Sequence, residues 1–464
     1  MTEFLASGQR VTPLHGSQIS GEHPCLPNPH YGTGQAAVPT QPRRHELALP
    51  QQDLDSHWGP RSRGMAGKDE PGWLFTGRAD LMKELITRTS RHAPGGVTIV
   101  SGRAGCGKST VLARLVTLSD PDFRAAYAPH VAAIPDDLLP QEEAVDVAVL
   151  AIGKNADDVL AQLLHAFSIP RSRDGATWDT LTDRIHAWDA WLASRATPVT
   201  IVLDALDEAR DPAGIIDLLA QLSRDEHRAQ VRLLVGVRSP GGPHDPGDEQ
   251  SRQALADQVE HRLAADRLRI DEAPWWQQSD VRDYALSVLT HTPASPYTSP
   301  SHAETARQLA SVLAEENRSG RSFLIARLAA AQLTRNQTAI SPADPGWLRL
   351  IDEGVVGLLR DDLATSFPNP ATRLRMIVLL RAVAFAFGRG LPWGEVWPLV
   401  ANAVANSHGY GDRDIADLLA SPIAAYLITD RDDDTTVYRL FHDALRTTLR
   451  EQWHELVDAP GTRP

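Results

Sequence analysis

The chain has 464 residues, of which 46 are basic and 59 acidic, so its formal net charge at neutral pH is −13. Hydrophobic residues make up 42% and charged residues 23%, a composition typical of globular proteins, and the length favours two or three domains. An acidic chain has no general attraction for phosphate polymers, so nucleic acid is not the expected partner. The two cysteines, Cys25 and Cys106, exclude a disulfide framework and a four-cysteine zinc site.

The sequence contains no segment suited to crossing a membrane. Its most apolar run, residues 376–387, is short and contains Arg381. The N-terminal sequence MTEFLASGQR lacks a basic region followed by an apolar run, so a signal peptide is not expected. We therefore expect a cytoplasmic protein without membrane contact.

The two ends of the chain are predicted to be disordered. Residues 1–70 are rich in Pro, Gly, His, Gln and Ser, and their apolar residues follow neither a helical nor a strand period. Such a segment buries too little apolar surface to offset its ordering entropy. Residues 1–70 are therefore predicted to be a disordered arm and linker, and residues 457–464 a disordered tail.

Residues 71–272 alternate between strand and helix patterns, which predicts a core with a parallel sheet. The predicted strands are residues 96–101, 145–151, 198–203, 231–237 and 268–270. The predicted helices are residues 81–91, 111–118, 156–167 and 180–194.

After residue 272 the strand pattern fades. Residues 273–367 are predicted to form a helical lid and connector, with helices at 281–289, 303–316 and 323–334. The elements predicted for residues 368–456 are helices at 373–387 and 393–405, a hairpin of 424–429 and 435–440, and a helix at 441–449. Helices followed by a hairpin predict a winged-helix domain.

A phosphate-binding loop follows the first core strand. The pattern G-x-x-x-x-G-K-[ST] is formed by Gly102, Arg103, Ala104, Gly105, Cys106, Gly107, Lys108 and Ser109, followed by Thr110. Glycines let the backbone wrap around phosphate oxygens, and N–H groups at the helix N-terminus point at them. Lys108 is expected to reach the β- and γ-phosphates, Ser109 to complete the Mg²⁺ shell, and Thr110 to face the α-phosphate. The fold class predicted is α/β: a P-loop NTPase core with a parallel sheet, followed by the helical lid and the winged-helix domain.

An acidic cluster follows the strand at 198–203. Asp204 is expected to hold Mg²⁺, mostly through water, because it stands where a buried strand ends beside the phosphates. A second carboxylate is needed to polarise the attacking water, and both Asp207 and Glu208 are suitable. The residues leave this choice open. The expected cofactors are ATP or ADP and Mg²⁺.

The order of the motifs resembles that of STAND NTPases, a signal-transduction class that includes NACHT and apoptotic-ATPase domains. Residues 199–208 resemble their hhhhDxLDE signature. Residues 75–81, Phe-Thr-Gly-Arg-Ala-Asp-Leu, resemble their FxGRxxEL stretch, with Asp80 where Glu is usual. The resemblance implies that Phe75, Gly77 and Arg78 contact the adenine side of the nucleotide.

Further matches extend the resemblance to about residues 72–450. The strand at 231–237 is similar to the sensor-1 segment, which implies that Arg238 senses the γ-phosphate. Residues 438–445 resemble the FHxxL element, which implies that His442 reaches the β-phosphate of ADP and locks a closed state. Residues 57–64, HWGPRSRG, look like a linker that precedes NTPase domains in actinobacterial multidomain proteins. Residues 319–323 stand near the glycine-proline element of the lid but contain no proline.

Three functions follow as alternatives. The favoured one is an ATP-binding STAND-type switch with slow hydrolysis, self-association into a homo-oligomer in the ATP state, and an effector protein on a separate chain. The second is a winged-helix DNA-binding regulator, although residues 370–464 carry 10 arginines, no lysine and 12 acids and so predict no basic face. The third is a scaffold that binds ADP without turnover.

Overall fold

A computed structural model of the chain describes residues 4–6, 9–11, 25–27, 49–65, 72–169, 172–173, 176–177, 180–239, 249–315, 322–386, 389–394, 396–432 and 435–457. The chain divides into two compact units, residues 1–46 and 47–464. In the first unit, three short strands form an antiparallel sheet in the order β2-β1-β3; they are β1 (Phe4–Ala6), β2 (Gln9–Val11) and β3 (Cys25–Pro27).

The second unit begins with residues 49–65, which we call the N-terminal segment. It consists of α1 (Gln51–Asp53), a π-helical turn (Leu54–Trp58) and α2 (Gly59–Ser62). Trp58 is fully buried against the helix that follows the phosphate-binding loop. A Cβ at Gly59 would lie 2.8 Å from the Leu54 carbonyl oxygen, so the tight turn excludes a side chain there.

The prediction that residues 1–70 are disordered is therefore wrong for the N-terminal segment. Its order comes from packing against the core, and its mixture of π and α turns leaves no regular apolar period in the sequence. Of the rest of residues 1–70, only β1, β2 and β3 lie within the described residues, and these also differ from the predicted disorder. Of the predicted tail at 457–464, only residue 457 is described.

The core is an α/β layer structure. Its strands are β4 (Gly96–Gly102), β5 (Val147–Leu150), the short pair β6 (Ser172–Arg173) and β7 (Ala176–Thr177), β8 (Val199–Asp204), β9 (Val231–Arg238) and β10 (Asp266–Arg269). Its helices are α3 (Ala79–Thr89), α4 (Lys108–Ser119), α5 (Pro121–Ala126), α6 (Ala128–Val131), α7 (Ala156–Ala166), α8 (Leu181–Ala193), α9 (Pro212–Leu222) and α10 (Glu249–Arg262).

Five strands form one parallel sheet in the order β10-β4-β9-β8-β5. The strands β4, β8 and β9 are buried along almost their whole length, as expected for a parallel sheet covered on both faces. Because β9 lies between β4 and β8, its carboxyl end stands between the phosphate-binding loop and Asp204. A Cβ at Gly236 would lie 2.4 Å from Asp204 Oδ1, so glycine on β9 makes room for that carboxylate.

Helices follow the core, and a small sheet lies among the last of them. The helices are α11 (Gln278–His291), α12 (Ala303–Ala314), α13 (Phe323–Thr334), α14 (Pro345–Asp352), α15 (Gly354–Ser366), α16 (Pro370–Ala384), α17 (Val396–Ala405), α18 (Asp412–Leu419) and α19 (Asp443–Glu451). The sheet has the order β11-β13-β12, formed by β11 (Leu391–Pro392), β12 (Leu427–Asp432) and β13 (Thr435–Leu440).

The predicted α/β P-loop NTPase fold with a parallel sheet is confirmed, and so is a helical C-terminal region. One apolar cluster runs from Val281 in α11 to Leu456, so the predicted lid and winged-helix regions share a core. No helix among the described residues is long and apolar enough to cross a bilayer.

Candidate nucleotide-binding site

The phosphate-binding loop joins β4 to α4. Gly105 and Gly107 adopt φ angles of +75° and +94°, in the left-handed region that favours glycine. Lys108 opens α4, and its ammonium group donates hydrogen bonds to the carbonyl oxygens of Gly102, at 2.8 Å, and Arg103, at 3.0 Å. These turns give the loop the geometry in which N–H groups at a helix N-terminus can face an anion.

A cavity of about 200 Å³ lies over this loop. The predicted site residues that line it are Phe75, Arg78, Ala104, Gly105, Gly107, Lys108, Ser109, Thr110, Asp204, Asp207, Glu208, Arg238 and His442. Four other predicted site residues do not line it: Gly77, Gly102, Arg103 and Cys106. Cys106 is fully buried, and burial raises the pKa of its thiol, so it is a packing residue of the loop.

Asp204 stands at the end of β8 and is held by two side chains. Its Oδ2 atom lies 2.9 Å from His57 Nε2, and its carboxylate accepts a hydrogen bond from the Ser109 hydroxyl. Burial raises the pKa of Asp204, but these two hydrogen bonds and the nearby Arg61 charge together outweigh burial and lower it below its usual value. The carboxylate and the hydroxyl are hard oxygen ligands of the kind that Mg²⁺ prefers, so Ser109 and Asp204 fit the predicted metal role.

His57 is a residue of the N-terminal segment that the sequence analysis did not assign to the site. Its side chain is 1% exposed, and burial followed by the Arg61 charge lowers the pKa of His57 to about 4. The ring is therefore neutral at neutral pH, and Nε2 carries the proton that is donated to Asp204. Residues 57–64 resemble a linker in sequence, and no local pattern in them indicates the contact between His57 and Asp204.

The two candidate catalytic carboxylates are adjacent to each other on the cavity wall. Partial burial raises the pKa of Asp207, against the charges of Lys108 and Arg238. Burial, followed by the charges of Asp207 and Asp443, raises the pKa of Glu208 to about 6. Asp207 Oδ1 also accepts a hydrogen bond of 3.2 Å from the Arg238 backbone N–H. A pKa of about 6 suits Glu208 to act as a general base near neutral pH.

Arg78 lines the cavity, but its guanidinium group is engaged with backbone carbonyl oxygens. It donates to Ile270 at 2.7 Å, Trp275 at 2.8 Å and Cys106 at 2.5 Å. The guanidinium group also lies 5.0 Å from the centre of the Phe323 ring at the start of α13. Arg78 therefore joins the phosphate-binding loop, the end of β10 and the lid, and this bracing role differs from the nucleotide contact that the resemblance implied.

The C-terminal helix α19 closes one side of the cavity. Asp443 at its start forms an ion pair with the guanidinium group of Arg238 at the end of β9. His442 caps the helix, and its Nδ1 atom accepts a hydrogen bond of 3.1 Å from the Ala444 N–H. Burial, followed by the Arg238 charge, lowers the pKa of His442 to about 3, so the neutral ring carries its proton on Nε2.

The cavity is rich in basic residues, and only Arg78, Lys108 and Arg238 among them were predicted from the sequence. Seven basic residues line it, namely Arg61, Arg78, Lys108, Arg238, Arg327, Arg439 and Arg446. Four acidic residues line it, namely Asp204, Asp207, Glu208 and Asp443. The excess of three positive charges, in a chain of net charge −13, suits a polyphosphate anion. The arginines come from five separate segments of the chain, so their convergence is not visible as a sequence motif.

Comparison with known proteins assigns the class. Residues 74–236 match the family model described as an AAA ATPase domain. The aliphatic sulfonates import ATP-binding protein SsuB 2 of Pseudomonas fluorescens is 27% identical over 162 residues, which cover 31% of this chain and 56% of that protein. The chain therefore spans about half the length of this curated relative. It contains an AAA-type ATP-binding domain on a P-loop NTPase fold.

Several solved structures are similar at low sequence identity. Cdc6p of Pyrobaculum aerophilum is 13% identical with a TM-score of 0.31, over 84% of this chain and 97% of its own. The Aeropyrum pernix ORC1 protein, solved in complex with DNA, is 16% identical with a TM-score of 0.33, over 81% and 91%. The ADP form of Aeropyrum pernix ORC2 is 14% identical with a TM-score of 0.33, over 83% and 94%. TM-scores this low support no statement about what this chain binds.

Proposed function

We propose that the protein is a regulatory switch of the STAND type, controlled by exchange between ADP and ATP. The observation that carries this proposal is the ion pair between Arg238 and Asp443. It joins the end of a core strand to the helix α19 directly beside the phosphate-binding loop. The state of the nucleotide and the position of the C-terminal region can therefore be coupled through one guanidinium group.

His442 supports an ADP-bound closed state. Because its Nδ1 atom accepts the Ala444 N–H, its one remaining donor is Nε2–H on the cavity wall. A neutral donor at this position suits a phosphate oxygen of ADP. When ATP replaces ADP, its γ-phosphate would compete with Asp443 for Arg238 and weaken the contact with α19. The result would be a shift in population from a closed to an open arrangement.

A second ionic cluster supports the same closed arrangement. The buried carboxylate of Asp53 lies 2.8 Å from Arg389 Nη2 and 3.9 Å from Lys154 Nζ. Arg389 also lies 3.7 Å from Asp430 on β12. These pairs connect the N-terminal segment, the core and the C-terminal sheet, so that opening would separate charged partners that are shielded from water.

Turnover would reset the switch. Glu208 or Asp207 would accept the proton of the attacking water while Ser109 and Asp204 hold Mg²⁺, which supplies charge neutralisation at the phosphates. We further propose that residues 368–456 form a winged-helix domain, and that the open, ATP-bound protein associates with copies of itself and acts on an effector protein on a separate chain. The protein would then act in the cytoplasm, with ATP hydrolysis that is slow compared with metabolic ATPases.

The direct test measures molar mass by size-exclusion chromatography with light scattering, first with ADP and then with a non-hydrolysable ATP analogue. We expect a monomer with ADP and a larger species with the analogue. An unchanged mass would refute the switch. Lys108→Ala should abolish nucleotide binding in a filter assay, and retained binding would refute the assigned site. The exposed residue Lys83 on α3 offers the control Lys83→Ala.

The same experiment separates the switch from an ADP-binding scaffold without turnover. Glu208→Gln with ordinary ATP should accumulate as the larger species if hydrolysis normally resets the protein. A scaffold would show the same mass for the wild type and for Glu208→Gln with every nucleotide. For a DNA-binding regulator, salt-dependent binding to duplex DNA would be the decisive result.

A further inference from the structure

Arg61 in the N-terminal segment extends its side chain to the same cavity as Lys108 and Ser109. Its Nη1 atom is shielded from water and has no hydrogen-bond partner among the described residues. A buried guanidinium donor without an acceptor is unfavourable unless an anion completes its hydrogen bonds. The position and the missing acceptor together point to a ligand in the cavity.

The neighbours of Arg61 indicate which part of a nucleotide it would meet. The opposite charges that act on it most are those of Asp204 and Glu208. In P-loop NTPases, the carboxylate that holds Mg²⁺ and the one that handles the attacking water both lie at the γ-phosphate. Arg61 is therefore at the terminal-phosphate end of the site.

The charge on Arg61 is also poorly compensated by protein groups. Burial, followed by the positive charge of Arg439, lowers the pKa of Arg61 to about 10, and the side chain stays protonated at neutral pH. Arg327 adds a third like charge nearby. The local charge is therefore positive, and a phosphate group would neutralise it. The groups counted are the guanidinium groups of Arg61, Arg327 and Arg439 and the carboxylates of Asp204 and Glu208. The planar fork of arginine suits two phosphate oxygens at once.

The backbone around Arg61 is held firmly enough to present the side chain in a fixed place. The Ser62 carbonyl oxygen accepts a hydrogen bond of 3.1 Å from Arg114 on α4. The Gly64 carbonyl oxygen accepts one of 3.2 Å from the Tyr284 hydroxyl on α11. On the preceding turn, His57 contacts Asp204 at 2.9 Å. Because the backbone is fixed on both sides of Arg61, its side chain can bind a ligand without a large loss of conformational entropy.

We propose that Arg61 binds the γ-phosphate of ATP in cis and so discriminates ATP from ADP. The inference rests on the proposed ATP binding at this site, and it adds the N-terminal segment to the nucleotide-binding machinery. Arg238 is paired with Asp443 in the closed arrangement, whereas the Nη1 donor of Arg61 has no acceptor within the part of the chain that the structure describes.

The test compares Arg61→Gln, Arg61→Lys and wild type in the full chain. A fluorescent ADP derivative is displaced by ADP or by a non-hydrolysable ATP analogue in the presence of Mg²⁺. For Arg61→Gln we expect the affinity for the analogue to fall by about tenfold or more, which is the loss of one charged hydrogen bond. The affinity for ADP should change by less than about twofold. Arg61→Lys should fall between these values, because an ammonium group keeps the charge but loses the fork.

The exposed residue Arg91 provides the matched control, and Arg91→Gln should change neither affinity. Retained ADP binding shows that each variant is folded. If Arg61→Gln weakens ADP and the analogue equally, or weakens neither, the inference is overturned. If Arg61→Gln does not fold, the test rests on Arg61→Lys. The inference is then overturned if the ratio of the affinities for the ATP analogue and ADP is the same as in wild type. Wild type that binds neither nucleotide would instead refute the proposed ATP binding itself.

Discussion

His57 Nε2 lies 2.9 Å from Asp204 Oδ2, across 147 positions of sequence. The histidine belongs to the N-terminal segment, and the aspartate ends the strand β8. Since neutral His57 has its proton on Nε2, the contact orients the carboxylate that we assign to Mg²⁺. A residue that acts on a metal through its ligand is a positioning residue, and such partners usually have measurable effects on metal affinity.

His57→Ala should weaken the binding of Mg²⁺ at the nucleotide site. Without the imidazole donor, the Asp204 carboxylate loses its orientation, and the Mg²⁺ concentration needed for half-maximal binding of the ATP analogue should rise by about tenfold. His57→Gln, which keeps a donor, should recover most of this loss. A Mg²⁺ titration of nucleotide fluorescence measures the effect, and His92→Ala, at an exposed position, serves as the control. Identical titrations for His57→Ala and wild type would contradict the positioning role.

The stability of the fold should decrease as the pH falls from about 6.5 towards 4, and His57 should contribute to the decrease. The pKa of His57 is lowered to about 4 in the folded chain, so between these values the unfolded chain binds the proton and the folded chain does not. The contribution has a slope of at most about 1.4 kcal/mol per pH unit. Urea unfolding at pH 7, 6 and 5 measures it. His57→Gln should show a smaller slope than wild type, and an equal slope would contradict the buried neutral histidine.

Asp443→Asn should favour the open arrangement even with ADP. The substitution removes the charge that pairs with Arg238 and leaves the helix α19 with its cap intact. Arg238 then loses a charged hydrogen bond to α19, so the ratio of closed to open protein should fall by about tenfold. Molar mass with ADP, compared with the exposed control Asp417→Asn, measures the change. A variant that remains monomeric with ADP and still assembles with the ATP analogue would show that the ion pair does not hold the closed state.

ATP hydrolysis should slow as the pH drops below about 6. Glu208 must be ionised to accept a proton from water, and burial raises its pKa to about 6. The rate should then fall by about tenfold per pH unit once the carboxyl group is mostly protonated. Phosphate release between pH 5 and 8 measures the profile, with circular dichroism to verify folding and Glu451→Gln as the exposed control. If Asp207→Asn, and not Glu208→Gln, removes this limb of the profile, then Asp207 is the base.

The core and its phosphate-binding loop were predictable because their signals are local. All five strands, β4, β5, β8, β9 and β10, begin and end within two residues of the predicted bounds, since an apolar run of this length is visible directly. The helices α9, α10, α14, α15 and α18 were not among the predicted helices, although Asp211 caps α9 and Pro212 opens it.

The rest of the site depends on tertiary contacts that no local pattern encodes. Arg61, Arg327 and Arg439 are separated by more than a hundred positions each, and only folding brings them to one cavity. Arg78 was assigned to the nucleotide because its motif matches a known one. Its actual acceptors are carbonyl oxygens, which every residue has and which the sequence therefore cannot distinguish.

The N-terminal segment changes what counts as the smallest working unit of this protein. The AAA family match begins at residue 74, but Trp58 is buried on α4 and His57 reaches Asp204 from outside that boundary. A truncation that starts at residue 72 would expose the apolar side of α4 to water and remove Arg61 together with the orienting histidine. Such a fragment would keep every recognised motif and still lack part of its nucleotide site. A fragment that retains the proposed nucleotide site therefore has to include residues 49–65.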